Sequence, residues 1–247
     1  MTHFDGTVAA HYDEDSSNRF NPAVLDPEVD FLAALAAPAA PAGTGRALEL
    51  AVGTGRVALP LSRRGVEVHG IEISPDMVER LRAKPGAELV TVHIGDMATV
   101  RVDGSFDLVY LVYNTITNLL DQDRQVDCFT NAATHLRPGG HFVIETFVPA
   151  LRRLPPGERF VPFEVGPDRI GVDEYDVVGQ RLTSHHHRLS DRGAGVFRSE
   201  HRYAWPAEYD LMARLAGLEP AGRWADWNRN PFTADSGSHV SVWRRPT

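Results

Sequence analysis

The sequence predicts a three-layer α/β fold around a mostly parallel sheet. Between residues 46 and 147, short apolar runs alternate with segments of helical periodicity, which is the pattern of βαβ units with parallel strands. The 247 residues are 43% hydrophobic and 23% charged, which is ordinary globular usage. We therefore expect one α/β domain, interrupted once by an insertion that follows a different pattern.

The first half of the sheet is predicted from two strands, each followed by a helix. An Ala/Pro stretch at residues 33–42 is expected to end a helix and link it to a buried strand at 45–52. The next helix contains Pro60, which predicts a late start or a kink because proline lacks a backbone donor. A second strand is predicted at residues 66–73, and Ser74-Pro75-Asp76 then supplies a helix N-cap, a proline and an acid in the first turn.

The same pattern continues to the fifth strand. Apolar runs predict strands at residues 88–94 and 106–113, and a helical stripe predicts a helix over residues 123–136. Pro138-Gly139-Gly140 is expected to turn the chain into a strand at residues 141–147. Strands connected through helices in this way lie parallel, with right-handed crossovers.

The chain changes character after the fifth strand. A proline-rich stretch precedes alternating segments at residues 181–189 and 196–205, which a turn at 190–195 joins. This pattern predicts an antiparallel hairpin within an insertion. The expected division is an α/β domain at residues 1–149 and 206–247, with an inserted antiparallel β cap at 150–205.

A helix and two strands complete the predicted sheet of seven strands. Pro206 opens the helix and Gly217 ends it, because glycine adopts the left-handed conformation that stops a helix. The first strand begins near Leu218, and the second, at residues 239–243, alternates cleanly between apolar and polar positions.

Charge and composition narrow the classes of partner and compartment. The net charge of −8 argues against binding a phosphate backbone, because nonspecific nucleic-acid affinity comes from Lys and Arg. No apolar run reaches the roughly 18 residues of a membrane span, and the start shows no signal pattern. Cys128 is the only cysteine, which excludes an internal disulfide and fits a reducing compartment. We expect a cytoplasmic protein with a small-molecule partner and neither nucleic acid nor membrane, and a homodimer stays open.

The segment from Glu49 to Gly55 places a small-residue turn between a strand and a helix. Glycine lets backbone approach a ligand closely, and a helix N-terminus offers free N–H groups. Considered alone, the turn fits an ordinary strand-to-helix connection or a ligand site. It also fits a dinucleotide site, because Gly53, Gly55 and Ala58 match the loose pattern G-x-G-x-x-G/A.

Two acidic residues at later strand ends narrow this choice. Glu72 ends the second strand 17 residues after Gly55, where a carboxylate can accept hydrogen bonds from both ribose hydroxyls. Asp96 follows the third strand and could accept an amino proton of adenine, with Ile73 and Met97 on either side of the ring. A nicotinamide enzyme does not need this second carboxylate, although Asp96 considered alone fits a capping role equally well.

In these motifs the sequence resembles the class I S-adenosylmethionine-dependent methyltransferases. Five motifs follow one another in the family's order, at residues 48–55, 70–74, 95–97, 106–109 and 136–140. The resemblance implies a Rossmann-like fold whose seven-stranded sheet has an antiparallel last strand. It also implies transfer of a methyl group from S-adenosylmethionine, with S-adenosylhomocysteine as the second product.

The resemblance further implies which residues contact the cofactor. Glu72 holds the ribose and Asp96 holds adenine. The turn under the methionine part of the cofactor contains Glu49, Ala51, Gly53 and Gly55. Ala51 stands where the family commonly has its first glycine, but its methyl group is small and the assignment stands.

A looser resemblance concerns the N-terminal segment and the insertion. His11-Tyr12-Asp13 and the inserted segment look like those of small-molecule methyltransferases of secondary metabolism, including sugar N-methyltransferases of macrolide pathways. This implies a lid in which Tyr12 and Arg19 close over the cofactor, with Arg19 near its carboxylate. For Arg19 a solvated surface charge is the alternative. Tyr113 and Asn114, at the carboxyl end of the fourth strand, are predicted to line the methyl-transfer site.

The sequence also offers candidates for moving a proton. Methyl transfer from a sulfonium mainly needs an aligned nucleophile and exclusion of water, but a hydroxyl or protonated amine must also lose a proton. His185 and His187 share one face of the predicted hairpin strand, while His186 points to the other face. We predict a catalytic role for His185 or His187, besides Asn114, with a solvated hairpin surface as the alternative. A metal site is not expected, because no third ligand is evident.

The leading prediction is a methyltransferase acting on a nitrogen or oxygen of a small molecule. A protein that binds the cofactor without transferring a methyl group is one alternative, because a fold does not define an activity. An NAD-dependent oxidoreductase is another, although Asp96 and the terminal antiparallel strand disfavour it.

Overall fold

A computed structural model describes residue 9 and residues 12–14, 16–37, 43–190 and 193–247. Three sequence features fall partly outside these residues, namely His11 of the N-terminal motif, residues 38–42 of the predicted linker and residues 191–192 of the predicted turn. Within the described residues, no helix is both long and apolar enough to cross a membrane.

The described elements alternate between strands and helices as far as the fifth strand, except that no helix separates the third strand from the fourth. The helices are α1 (Pro22–Ala36), α2 (Ala58–Arg63), α3 (Pro75–Arg82), α4 (Gln122–His135) and α5 (Pro206–Leu215). The first five strands are β1 (Arg46–Leu50), β2 (Glu67–Glu72), β3 (Val90–Ile94), β4 (Phe106–Leu111) and β5 (Leu136–Phe147). The later strands are β6 (Phe160–Val165), β7 (Arg169–Asp176), β8 (Arg181–Ser190), β9 (Gly193–Arg202), β10 (Glu219–Trp224) and β11 (Ser238–Arg244).

Seven of these strands form the main sheet, in the order β10-β11-β5-β4-β1-β2-β3. Strands β1 to β5 pair in parallel, whereas β11 is antiparallel to both of its neighbours, β5 and β10. The predicted mostly parallel seven-stranded sheet with an antiparallel last strand is confirmed. The carboxyl ends of β1 to β4 meet at one edge, where open α/β sheets bind ligands.

Buried apolar side chains cover both faces of the main sheet. On one face, Phe129 of α4 and Met212 of α5 pack against the strands. On the other face, Leu32 of α1, Leu61 of α2 and Leu81 of α3 do the same. Helices on both faces of a sheet make three layers, as predicted.

The helix starts follow from local chemistry. The Ser74 side chain accepts a hydrogen bond from the Met77 backbone N–H at 3.4 Å, and Pro75 occupies the first turn of α3. In α2, which begins at Ala58, Pro60 also lies in the first turn. Backbone donors of a first turn have no intrahelical acceptor, so the missing N–H of Pro60 disrupts no helical bond.

Two predicted boundaries in the parallel part of the sheet are wrong. Strand β4 ends at Leu111, because Tyr113 and Asn114 take left-handed φ angles of 57° and 61°. Residues 138–140, predicted as a turn before the fifth strand, lie inside β5. There the register against β4 shifts and Gly139 adopts a φ of 81°, so the glycine pair forms an irregularity within a longer strand.

The inserted segment contains a second, antiparallel sheet in the order β6-β7-β8-β9, here called the cap sheet. The predicted hairpin is confirmed as β8 paired with β9, although β9 begins at Gly193, inside the predicted turn, and ends at Arg202. The preceding proline-rich stretch, for which no strand was predicted, contributes β6, which pairs with β7. Pro162 is tolerated there because β6 is an edge strand.

The cap sheet has a small apolar core of its own. Val161, Tyr175 and Leu182 are buried together with Tyr203, which follows β9. They pack against Phe147 at the end of β5 and against the segment after it. This core therefore lies beside the carboxyl edge of the main sheet. The division of the chain into a domain and a cap at 150–205 stays a prediction.

Candidate functional site

A cleft opens at the carboxyl edge of the main sheet. Seven of its lining residues belong to the predicted cofactor set: Tyr12, Ala51, Gly53, Glu72, Ile73, Asp96 and Met97. Six others line the same cleft without having been predicted: Ile71, Met77, Gly95, Thr115, Asn118 and Leu119. Thr115 and Asn118 belong to the 3-10 helix Thr115–Asn118, and Leu119 follows it directly. The left-handed turn after β4 places this helix over the cleft.

The two glycines of the first turn differ in their surroundings. Ala51, Gly53 and Gly55 all have left-handed φ angles, of 59°, 55° and 79°. A Cβ added to Gly53 would meet no atom within 4 Å, so this residue faces open space in the cleft. A Cβ added to Gly55 would lie 3.0 Å from the Leu81 side chain. Gly55 therefore allows the turn to pack against α3 and is not part of the cleft lining.

Glu72 connects the first two turns of the site. One carboxylate oxygen, Oε2, accepts from the Gly53 backbone N–H at 2.8 Å, and Oε1 accepts from the Ser74 N–H at 2.9 Å. Burial raises the pKa of this carboxyl, against the lowering effect of the backbone donors. The carboxylate is thus fixed in the cleft wall at the point where β2 ends.

Asp96, Met97 and Ile73 form the adjoining part of the cleft. Asp96 Oδ1 accepts from the Ala98 backbone N–H at 2.8 Å, which is the capping contact considered from the sequence. Its other oxygen forms an ion pair with Arg124. Ile73 is 44% exposed, so the cleft presents apolar surface beside the carboxylate.

The N-terminal segment is held against the glycine turn. Asp13 accepts a hydrogen bond from the Thr54 hydroxyl at 2.6 Å and forms an ion pair with Lys84 at 2.5 Å. These contacts hold the neighbouring Tyr12 in the cleft lining, where burial raises the pKa of its hydroxyl. The segment thus covers part of the cleft.

Buried charges lie beneath the turn. Arg56 donates to both carboxylate oxygens of Glu28, at 2.7 Å and 3.0 Å, and Glu28 has no exposed surface. Glu49, predicted as a cofactor contact, accepts from the Tyr110 hydroxyl at 2.9 Å and is not part of the cleft lining. Burial raises the pKa of Glu49 to about 8. Its carboxyl is therefore largely protonated at neutral pH.

Arg19 and Tyr113 are joined through Glu145, which the sequence analysis did not single out. Arg19 pairs with Glu145 Oε1 at 3.0 Å, and the Tyr113 backbone N–H donates to Oε2 at 2.7 Å. The Arg19 guanidinium also lies 4.5 Å from the centre of the Tyr113 ring. Neither predicted residue lines the cleft. A carboxylate in the otherwise apolar run of β5 was the available signal for Glu145.

The three predicted catalytic residues do not line the cleft. Asn114 Oδ1 accepts from the Phe147 backbone N–H at 2.9 Å and thereby joins the ends of β4 and β5. His185 Nε2 lies 3.0 Å from Glu174 Oε2. His185 and His187 share the face of β8 opposite to His186, which is the predicted strand parity. Among the described residues, no group of three or more His, Cys, Asp or Glu side chains could hold a metal ion.

Known methyltransferases have sequences similar to this chain. The profile of a family described as "Methyltransferase domain" matches residues 47–140. The cypemycin N-terminal methyltransferase of a Streptomyces species is 30% identical over 204 residues, which is 80% of this chain and 82% of that protein. The chain therefore belongs to the S-adenosylmethionine-dependent methyltransferases.

Solved structures agree with this assignment. The CcbJ methyltransferase from Streptomyces caelestis has a TM-score of 0.78 and 41% identity, covering 90% of this chain and 89% of that chain. The amino pentose methyltransferase CalS10 from Micromonospora echinaspora, solved with bound S-adenosylmethionine, has a TM-score of 0.69. It is 23% identical over 94% of this chain and 96% of its own, so it supports the fold. The protein is an enzyme, and S-adenosylmethionine is its cofactor.

The residues of the cleft fit this cofactor. Open space at Gly53 lets a ligand approach the backbone, and the exposed side chain of Ile73 offers apolar surface to a ring. The buried Glu72 carboxylate supplies an acceptor for hydroxyl groups in the same wall. Backbone access, an apolar wall and a fixed carboxylate are what an adenosine moiety requires.

Proposed function

We propose that this methyltransferase methylates an amine nitrogen of a small molecule and releases S-adenosylhomocysteine. The chemistry of the relatives supports this choice. One relative is named an N-terminal methyltransferase, and a second, 30% identical over 99 residues, is named a dTDP-3-amino-3,4,6-trideoxy-alpha-D-glucopyranose N,N-dimethyltransferase. The alignment with the second relative spans only 40% of each protein. It therefore supports a nitrogen atom as the methyl acceptor but does not identify a particular sugar.

The convergence of three strand ends carries the proposal. Gly53 follows β1, Glu72 ends β2 and Asp96 follows β3, and all three line one cleft. We assign the ribose hydroxyls to Glu72, adenine to Asp96 with Ile73 and Met97, and the methionine part to the glycine turn. Tyr12 covers the cofactor, while Arg19, Glu49, Gly55 and Tyr113 support this arrangement from behind the cleft lining.

The bound cofactor supplies a methyl group on a sulfonium, which is already activated for displacement. As the nitrogen–carbon bond forms, the carbon–sulfur bond breaks and the amine gives up one proton. The protein's own task is to present the nitrogen in line and exclude water. Asn114 fixes the end of β4 beside the transfer site. His185 and His187 were predicted as proton acceptors, but both lie on the face of β8 opposite to Leu182, whose side chain is buried toward the end of β5, so we assign the proton to neither of them. We further propose that residues 150–205 act as the acceptor cap.

The proposal extends to partners and compartment. A net charge of −8 disfavours nucleic acid as the acceptor, and one cysteine in 247 residues fits the cytoplasm. A homodimer would use exposed apolar side chains of the cap sheet such as Val196. Gel filtration with light scattering measures that state directly.

Matched pairs of small molecules test the acceptor atom. Each pair contains an amine and its hydroxyl counterpart, including dTDP-3-amino-3,4,6-trideoxy-glucose and the 3-hydroxy sugar nucleotide, and a peptide with a free or an acetylated N-terminus. Mass spectrometry after incubation with S-adenosylmethionine should show an added methyl group on amines only. Glu72→Ala at low cofactor concentration is the control for enzymatic transfer. Methylation of the hydroxyl members with unmodified amines would contradict the proposal.

A further inference from the structure

His201 of β9 joins the cap sheet to the cleft. Its Nδ1 lies 3.1 Å from the Thr117 hydroxyl, and Thr117 belongs to the 3-10 helix Thr115–Asn118 that lines the cleft. The Thr117 hydroxyl donates its hydrogen bond to the Asn114 carbonyl at 2.7 Å. It therefore accepts from His201, so Nδ1 of His201 is the donor in the contact between Thr117 and His201. The other ring nitrogen, Nε2, lies 2.9 Å from the Ser199 hydroxyl.

A row of polar side chains crosses the cap sheet next to His201. Asp173 of β7, Ser184 of β8 and Ser199 of β9 are direct cross-strand partners, so their side chains share one face. We call this row the polar band. The Ser184 hydroxyl donates to Asp173 Oδ1 at 2.6 Å, and burial raises the pKa of Asp173. The band lies two residues, or about 7 Å, along β9 from His201.

The face that carries the polar band also carries the buried core of the cap sheet. Leu182 of β8 is the cross-strand partner of both Tyr175 and His201. Leu182 and Tyr175 are buried against the segment after β5. This face, here called the inner face, therefore starts at the carboxyl edge of the main sheet and continues outward from it.

An aromatic row follows the polar band on the inner face. Phe197 and Gly171 are the cross-strand partners of His186, and the His186 ring lies 5.8 Å from Phe197 and 5.2 Å from Phe163. A Cβ on Gly171 would come within 2.2 Å of the Phe163 ring, so Phe163 fills the space that glycine leaves. Burial lowers the pKa of His186, which favours the neutral form of its ring. Phe163 and Phe197 are each 44% exposed.

We propose that the inner face binds the acceptor, with the polar band and the aromatic row holding different parts of it. The inference rests on the proposed function, because the ligand is the amine acceptor of that reaction. The carboxylate and hydroxyls of the band suit hydroxyl or amine groups near the reacting nitrogen. The aromatic row begins about 13 Å from His201 along β9, and it suits an apolar body. The expected acceptor is therefore a small amphipathic amine.

A second copy of the chain is the alternative occupant of this face. A stable contact between two chains buries about 1,200–2,000 Å² in total, which is far more than three partly exposed rings provide. A contact between copies would also not require the polar band to continue through His201 to the cleft. Both observations favour a small molecule that reaches from the aromatic row to the transfer site.

Two amino sugar glycosides with the same amine test this assignment. Hexyl glucosaminide and methyl glucosaminide are titrated by calorimetry into protein saturated with S-adenosylhomocysteine. The parent protein should bind the hexyl glycoside at least about tenfold more tightly, because its chain reaches the aromatic row. Phe197→Ala should remove most of that preference, and Asp173→Asn should weaken both glycosides about tenfold. Val196→Ala, which alters the opposite face of β9, is the matched control and should change neither.

Several results would overturn the proposal. The proposal is contradicted if the parent protein binds neither glycoside or binds both equally. It is also contradicted if Phe197→Ala and Asp173→Asn bind the two glycosides as the parent does. A dimer in sedimentation that Phe197→Ala dissociates would assign the aromatic row to a contact between copies. The measurement needs no turnover, so binding as expected without methylation contradicts the proposed function and leaves this assignment standing. A methylated amine whose kinetics both variants leave unchanged contradicts this assignment and leaves the proposed function standing.

Discussion

Polar groups are held differently at the carboxyl edge of the main sheet and on the inner face of the cap sheet. At the edge, Glu72 and Asp96 accept hydrogen bonds from backbone N–H groups of the turns. On the cap sheet, the hydroxyls of Ser184 and Ser199 contact other side chains on the same face, Asp173 and His201. The first arrangement follows from strand–turn–helix motifs. The second depends on the register of three paired strands.

This difference explains why the two halves of the site serve different purposes. Backbone groups in a turn are fixed once the turn forms, so they suit a cofactor that is the same throughout a family. Side chains on an antiparallel sheet change with each substitution while the sheet persists, so they suit an acceptor that differs between relatives. The following predictions test whether the two regions behave in these distinct ways.

The largest expected effect concerns the buried pair of Glu28 and Arg56. Arg56→Met leaves a carboxylate with no exposed surface unpaired, which should cost about 3–5 kcal/mol of unfolding free energy. The more exposed pair of His185 and Glu174 on the cap sheet is the comparison, and Glu174→Gln should cost less than about 1 kcal/mol. Urea unfolding measures both. The double variant Glu28→Leu, Arg56→Met should recover most of the stability that Arg56→Met loses. Equal losses of unfolding free energy in Arg56→Met and Glu174→Gln would contradict the expected difference between the two regions.

The pH dependence of stability should also differ between the regions. Burial raises the pKa of Glu49 from 4.5 to about 8, so the folded protein keeps a proton that the unfolded chain releases between these values. The unfolding free energy therefore falls as pH rises through this window, by at most about 1.4 kcal/mol per pH unit. Glu49→Gln cannot lose a proton and should gain stability relative to the parent as pH rises.

Urea unfolding at several pH values between 5 and 8 checks this expectation. The cap sheet offers a control in Asp173, whose pKa is also raised by burial but which lies partly in solvent. The difference in unfolding free energy between Asp173→Asn and the parent should therefore change less with pH than the difference between Glu49→Gln and the parent. A difference between Glu49→Gln and the parent that stays constant with pH would show that the Glu49 carboxyl is ionised in the folded protein.

The smallest effect separates the two glycines of the turn. Both Gly53→Ala and Gly55→Ala place a side chain at a left-handed φ, which costs about 1–2 kcal/mol. Gly55→Ala also forces a contact at 3.0 Å with Leu81, so it should lose more stability in thermal unfolding. Gly53→Ala should instead lose more affinity for S-adenosylhomocysteine in calorimetry. Reversed effects would place Gly55 in the cleft.

The sequence predicted the parts of the molecule whose geometry is local. Glu72 and Asp96 were identified because each stands where a strand ends, and strand ends of a parallel sheet meet at one edge. Tyr113 and Asn114 were also placed by this reasoning, but their left-handed backbone ends β4 early and brings Thr115–Asn118 over the cleft. The periodicity of apolar residues does not reveal a left-handed turn that two non-glycine residues form.

Contacts between distant segments could not be predicted in the same way. Arg19 was considered as a cofactor ligand or a solvated charge, and it pairs with Glu145, which lies 126 residues away. The three consecutive histidines drew attention to β8, whereas His201, a single histidine on β9, is the one bonded beside the cleft. Its position depends on how the cap sheet meets the 3-10 helix, and no short motif encodes that contact.

The affinity for S-adenosylhomocysteine in two contrasting variants tests the separation of the two regions most directly. Glu72→Ala removes the carboxylate at the end of β2 and should weaken binding by about 30- to 150-fold, as expected for a pair of hydrogen bonds to a charged group. The double variant Asp173→Asn, Phe197→Ala alters only the inner face of the cap sheet and should stay within about twofold of the parent. An equal loss of affinity in both variants, or no loss with Glu72→Ala, would contradict the assignment of the cofactor to the main sheet and of the acceptor to the cap.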